Sequence, residues 1–188
     1  MFIFNVPKDL LALKPKAYTL QSISIGPYHH WRSELYDMER YKLAAARRFQ
    51  KRISGLKFES AVVEEFRKHE WWIQISYRKF LDYKEETLAW LMVLDTVFLL
   101  KCFKFYVRHD DKNSNTDVKQ LEWVLDPSGT SAAHNSIVRD LMMLENQLSL
   151  FLLQKLLELQ LGFICGVNET QRTMYEVTDE WFLHIELW

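Results

Sequence analysis

The stretch EETLAWLMVLDTVFLLKCFKFYV, residues 85–107, decides the fold. Asp82 followed three residues later by Glu85 reads as a helix start, because an N-cap side chain and a carboxylate at the third position satisfy orphan amides. At helical pitch Leu88, Leu91, Met92, Leu99, Cys102 and Tyr106 share one face, while Trp90, Val93, Leu94, Val97 and Phe98 cover most of the remainder. A helix apolar nearly all round must be surrounded by others. Asp95 falls within the main stripe, where a carboxylate is strongly destabilising unless it is partnered or protonated. The predicted fold is all-α, an irregular multi-helix bundle around this central buried helix, and it must supply Asp95 with a partner.

At 188 residues and 48% hydrophobic, the chain has material for one sizeable core and is expected to form a single domain. Its 24 basic residues balance 25 acidic ones, so bulk charge makes no case for nucleic acid or an anionic membrane as partner. The two cysteines, Cys102 and Cys165, lie in no CxxC or Cys/His spacing; no metal or cofactor is expected, and buried reduced thiols are. The N-terminus has neither a basic n-region nor an apolar run long enough for a signal peptide. Asp95, Lys101 and Lys104 interrupt one candidate membrane span and Lys155 and Glu158 the other, so both are read as core helices. The cytoplasm, or the cytoplasmic face of a membrane, is the expected location.

Residues 1–33 hold Pro7, Pro15 and Pro27, which argues for an extended lead-in that wraps the domain. Within it, Ile23 to His30 alternates apolar residues into a Gly-Pro turn, as a short strand or extended segment would. The helical core is expected over residues 34–161. A helix from Ser33 to about Ile53 turns Leu35, Met38, Ala45, Phe49 and Ile53 inward and leaves Arg40, Arg47, Arg48, Lys51 and Arg52 as a solvated basic face. A second, from about Phe58 to Phe80, places Phe58, Val62, Phe66, His69, Ile73, Ser76, Tyr77 and Phe80 on one side, with His69 as a hydrogen-bonded core residue. Trp71 points away from that stripe and either packs under another element, the preferred reading, or marks a contact surface.

Arg108 to Asp117 reads as loop, Val118 to Leu125 as a short helix and Asp126 to Thr130 as a turn. A long apolar helix is predicted from about Ser136 to Leu161, with Leu141, Leu144, Leu148, Leu152, Leu156 and Leu159 in line, Asn146 facing away and Glu145 flanking the stripe. Gly162 and Gly166 should end it. Residues 162–188 form a truncated or divergent tail closing on an apolar cluster that includes Trp181 and Trp188, possible contact residues alongside Trp71. The sequon at Asn168 is read as chance.

Three blocks together are specific: Gly26-Pro27-Tyr28-His29-His30 with Glu39 and Lys42 following, then Met92 to Leu100 around Asp95, then Asp140-Leu141-Met142-Met143-Leu144-Glu145-Asn146-Gln147. In that order and spacing, over about residues 3–160, the chain resembles the plant family called domain of unknown function 247. The resemblance implies a plant-specific, largely helical protein without an established enzymatic activity, often with a membrane-anchoring segment late in a longer chain. Some grass members are implicated in self-incompatibility; the resemblance does not assign that role here. Thr96 stands where the family commonly has glycine, and Ser149 where it usually has proline. The family pattern continues past this chain, which is expected to represent an N-terminal portion, a truncated paralogue or a fragmentary gene model. Membrane association is expected only through the family's C-terminal segment.

Asp95 and Glu145 are the weak catalytic candidates. With His29 or His30 they suggest an acid–base pair or a metal site in a hydrolase-like enzyme. No phosphate loop, nucleophile elbow, dinucleotide fingerprint or zinc helix accompanies them. The preferred reading makes them structural: Asp95 paired with an arginine or bonded to the segment from Ser24 to His30, and Glu145 and Asn146 satisfying loop backbone groups. The expected function is a non-catalytic interaction module with an unknown protein partner.

Overall fold

A computed structural model describes residues 3–53, 58–108 and 131–165 of the chain. Among the described residues the domain is all-α. Its eight α-helices are α1 (Lys8–Leu13), α2 (Pro15–Tyr18), α3 (Glu39–Arg52), α4 (Glu64–Lys68), α5 (Glu70–Ser76), α6 (Glu85–Arg108), α7 (Ser131–Leu141) and α8 (Leu150–Cys165). A 3-10 turn over Ser33–Met38 leads into α3, and a π-type turn over Glu59–Val63 leads into α4.

The central helix is α6. Leu88, Leu91, Met92, Leu99 and Cys102 are buried on one face, and Val93, Val97 and Phe98 on the others. Helices α3, α4, α5 and α8 all pack against it. The turn opens at Lys84, whose carbonyl accepts the Leu88 N–H, and not at Asp82. Leu35, Met38, Ala45, Phe49 and Ile53 are buried as expected, and so are Leu148, Leu152 and Leu156 of the second leucine-rich segment.

The lead-in is short helices followed by extended chain. Pro15 occupies the first turn of α2, where its missing N–H costs nothing. Beyond Tyr18 the backbone runs extended into the interior, and Ile23, Ser24 and Ile25 are almost fully enclosed. Among the described residues this segment has no strand partner. The one bridge among the described residues joins Ile3 to Tyr77. A buried backbone with no sheet to pair with must find its hydrogen bonds elsewhere.

Several elements depart from expectation. The helix predicted over 58–80 is divided at Val63 and His69 and ends at Ser76, so Phe80 is 78% exposed instead of inward. Trp71 is 64% exposed and is not covered by another element among the described residues. The helix predicted over 136–161 is two helices, separated by a turn over residues 142–149. Leu144 sits on that turn and is 60% exposed, while Asn146, expected to face away, is 1% exposed. Gly162 does not end α8, which continues to Cys165. The expectations for residues 109–130, for Gly166 and Asn168, and for Trp181 and Trp188 fall outside the described residues, as do the side chains of Tyr106 and Cys165. No described helix is long and apolar enough to cross a membrane.

Candidate functional site

The three sequence blocks meet around the buried extended segment. Asp140, in the last turn of α7, aims one carboxylate oxygen at three successive amides: Oδ2 accepts from Gln21 N (2.9 Å), Ser22 N (2.6 Å) and Ile23 N (3.1 Å). A run of backbone N–H groups converging on one anion is a nest, and the carboxylate fills it permanently. Its other oxygen takes Arg139 Nη2 at 3.0 Å, and that guanidinium group also donates to the Thr19 carbonyl at 2.6 Å.

Asn146 continues the ladder. Its Oδ1 accepts the Ile25 N–H, and its Nδ2 donates to the Ile23 carbonyl (3.0 Å) and the Asp140 carbonyl (2.9 Å). The last of these is shared with the Met143 N–H, which also donates to the Asp140 carbonyl (3.2 Å) in the turn that ends α7. The side chain thus stands in for a neighbouring strand and explains the break between α7 and α8: on one unbroken helix it would point away.

The next amide belongs to Asp95. Gly26 N donates to Asp95 Oδ2 at 2.7 Å, and Lys42 Nζ lies 2.7 Å from Asp95 Oδ1. Lys42 Nζ also reaches Glu39 Oε1 at 2.7 Å. The partner of Asp95 is therefore a lysine, not an arginine, together with the expected extended segment. Burial lifts the Asp95 carboxyl above its ordinary value, against the pull of Lys42 and the Gly26 amide. Burial works against the Lys42 ammonium as well, but the Asp95 and Glu39 carboxylates hold it above its ordinary value.

Gly26 itself has φ +75°, and a Cβ there would come within 2.8 Å of the Gln147 carbonyl oxygen and 3.1 Å of Tyr77 Oη. Only glycine fits this turn. The Tyr77 hydroxyl donates to the Gln147 carbonyl (3.1 Å), and the Tyr83 hydroxyl donates to the Pro27 carbonyl (2.8 Å). Tyr28 donates to the Ile3 carbonyl at 3.2 Å, tying the start of the chain to the same turn.

Glu145 and His29 close the outer side. Glu145 accepts the Val6 N–H through Oε1 and meets His29 Nε2 at 3.0 Å through Oε2. Burial, with the nearby Arg32 charge, lowers the His29 imidazole below its ordinary value despite Glu145, so the neutral ring donates Nε2–H at pH 7. His30 packs edge-on against Trp31, and its Nδ1 is buried without a hydrogen-bond partner among the described residues. His69, on the side of the domain that meets Phe151, is partly buried and its Nδ1 contacts the Glu65 carbonyl at 2.8 Å.

Asp95 and Glu145 thus have separate partners instead of sharing a histidine. Asp95 is 1% exposed and both of its oxygens are engaged. Among the described residues no group of three or more His, Cys, Asp or Glu is arranged to hold a metal ion. Sequence reasoning missed the burial of Lys42, yet its position between Met38 and Ala45 put it on the inward stripe of α3, a signal that Asp95 had a cation to face. The contribution of Arg139 carried no such signal.

Trp71 and Trp72 form a separate feature. They project from α5 with exposures of 64% and 55%, rings edge-to-face at a centroid distance of 5.1 Å.

The family model described as plant protein of unknown function, DUF247, matches residues 3–184. A putative UPF0481 protein of Arabidopsis thaliana is 40% identical over 159 residues, covering 85% of this chain and 27% of its own length. Another UPF0481 protein of the same plant is 32% identical over 159 residues, covering 82% of this chain and 30% of its own. The chain therefore spans less than a third of the length of these curated relatives. No solved structure matches it.

Proposed function

The chain belongs to the plant family of unknown function DUF247, and from that membership and the geometry above we infer that it is a non-catalytic protein-interaction module. The exposed Trp71–Trp72 pair carries this reading. Tryptophan is enriched where binding energy concentrates, and a pair of large rings at the surface offers apolar area to a partner. Ile73 is buried on the side of α5 opposite Trp71 and anchors the helix. Asp95, Asp140, Glu145 and Asn146, by contrast, are engaged with the chain's own backbone. That is support for scaffold over chemistry, because a general acid or base needs access to a substrate proton. No observation favours membrane association.

The experiment is affinity capture from plant tissue with the wild-type chain and with Trp71→Ser/Trp72→Ser, followed by rebinding of the recovered protein in purified form. The double variant should keep its melting temperature and lose a partner that the wild type binds directly. Identical capture by both proteins, or no direct rebinding, overturns the reading.

A further inference from the structure

The outward face of α3 gathers cations that the described residues leave without counter-ions. Lys42, Ala45, Ala46 and Phe49 turn inward. Opposite them Arg40, Leu43, Arg47, Arg48, Gln50 and Lys51 are exposed. No acidic side chain among the described residues pairs with Arg47, Arg48 or Lys51. Exposed cations on other helices differ: Arg67, Lys68 and Lys155 each meet a glutamate three residues away on their own element.

The sequence after α8 supplies the opposite charge. Residues 166–188 carry Glu169, Glu176, Asp179, Glu180 and Glu186 against Arg172, and the aromatic residues Trp181, Phe182 and Trp188 stand among the last of these carboxylates. Helix α8 delivers that sequence beside α3. Gln160 of α8 and Arg48 of α3 line one crevice, and the helix ends at Cys165, about 7.5 Å further along its axis. Residues 166–175 can then span up to about 33 Å. The 14 residues of α3 extend for only about 21 Å.

We propose that residues 176–188, an acidic and aromatic segment of this chain, dock on the outward face of α3 with their carboxylates against Arg47, Arg48 and Lys51. A single exposed ion pair contributes little, but several carboxylates tethered beside several cations act together at high effective concentration. Tryptophan rings add cation–π contacts to the arginines. Leu43, 45% exposed on the same face, offers them apolar area.

The test is zero-length carbodiimide coupling of the full chain at low salt, with the joined residues mapped by mass spectrometry. Lys51 is the exposed lysine of this face. It should couple to Glu176, Asp179, Glu180 or Glu186 within one molecule, at a yield independent of protein concentration. In 1 M salt, where the screening length is about 3 Å, the yield should fall severalfold. Arg47→Glu/Arg48→Glu should keep the melting temperature and lower the yield about tenfold, the worth of two exposed pairs. Adding Asp179→Arg/Glu180→Arg should restore coupling through Glu176 or Glu186. A segment coupled instead to Lys8, Lys14 or Lys16 sits on the lead-in, and crosslinked dimers that increase with concentration place it on a second copy; either result overturns the proposal. So does a Lys51 that couples to none of the four carboxylates, or a yield that the α3 charge reversal leaves unchanged.

Discussion

Lys42 Nζ and Asp95 Oδ1 lie 2.7 Å apart with both side chains sealed from solvent, bolting α3 to α6 at the point where the extended segment passes. A buried pair of this kind gains little over a well-packed apolar pair, but removing one member strands the other. Lys42→Met should therefore cost about 3–5 kcal/mol in urea denaturation. Adding Asp95→Leu should cost far less than the sum of the two single losses, and in that background Asp95→Leu should be better tolerated than Asp95→Ala. Strictly additive losses would mean that the two charges are not coupled. The lysine's raised value also sets an alkaline limit: its contribution is complete below pH 10.5 and is lost as pH rises through the higher folded value.

Asn146 makes three hydrogen bonds that no other side chain can make in the same place. Asn146→Ala should cost about 2–4 kcal/mol, since each lost bond is worth about 1 kcal/mol and buried groups are left unpaired. Asn146→Asp should be worse, because it removes both donors and sets a charge against two carbonyls. Chemical denaturation of the three proteins ranks them; an aspartate as stable as the asparagine would refute the assignment of the amide.

Much of this was legible beforehand, and the missed helix breaks share one cause. The burial pattern of α6 and the need of Asp95 for a partner both follow from apolar periodicity. Periodicity also carried the leucine stripe straight through residues 142–149, because Leu141, Leu144 and Leu148 keep helical spacing across a turn. What breaks the helix is a set of bonds from Asp140 and Asn146 to residues more than a hundred positions earlier, and apolar spacing holds no record of such bonds. Phe80 failed for the same reason: the helix carrying its stripe ends at Ser76.

Gly26→Ala should destabilise by more than the roughly 1 kcal/mol of an ordinary glycine change at positive φ, since the added methyl group meets a backbone carbonyl as well. Pairing it with Tyr77→Phe relieves the side-chain contact but not the backbone one. The double variant should recover little, as differential thermal unfolding would report.

His29 sets the acid limit. Its folded value is lowered, so the unfolded chain takes up a proton first as pH falls below 6.5 while the folded chain resists. Stability from this group is present above that pH and is lost as pH falls toward the folded value. His29→Gln keeps a donor for Glu145 and does not titrate. Its urea midpoint should fall less than the wild type's between pH 7 and pH 5 (roughly the window of an ordinary histidine); parallel curves would remove His29 from the account.

The central claim is that Asp140, Asn146 and Asp95 serve as the missing strand for a buried extended segment. Native-state amide hydrogen exchange by NMR tests it most directly. The amides of Ser22, Ile23, Ile25 and Gly26 should exchange as slowly as those of Met92 and Val93 in the core of α6, and Asp140→Ala should release Ser22 and Ile23 before Gly26. Exchange of these amides at open-chain rates in the wild type, with α6 still protected, would contradict the account.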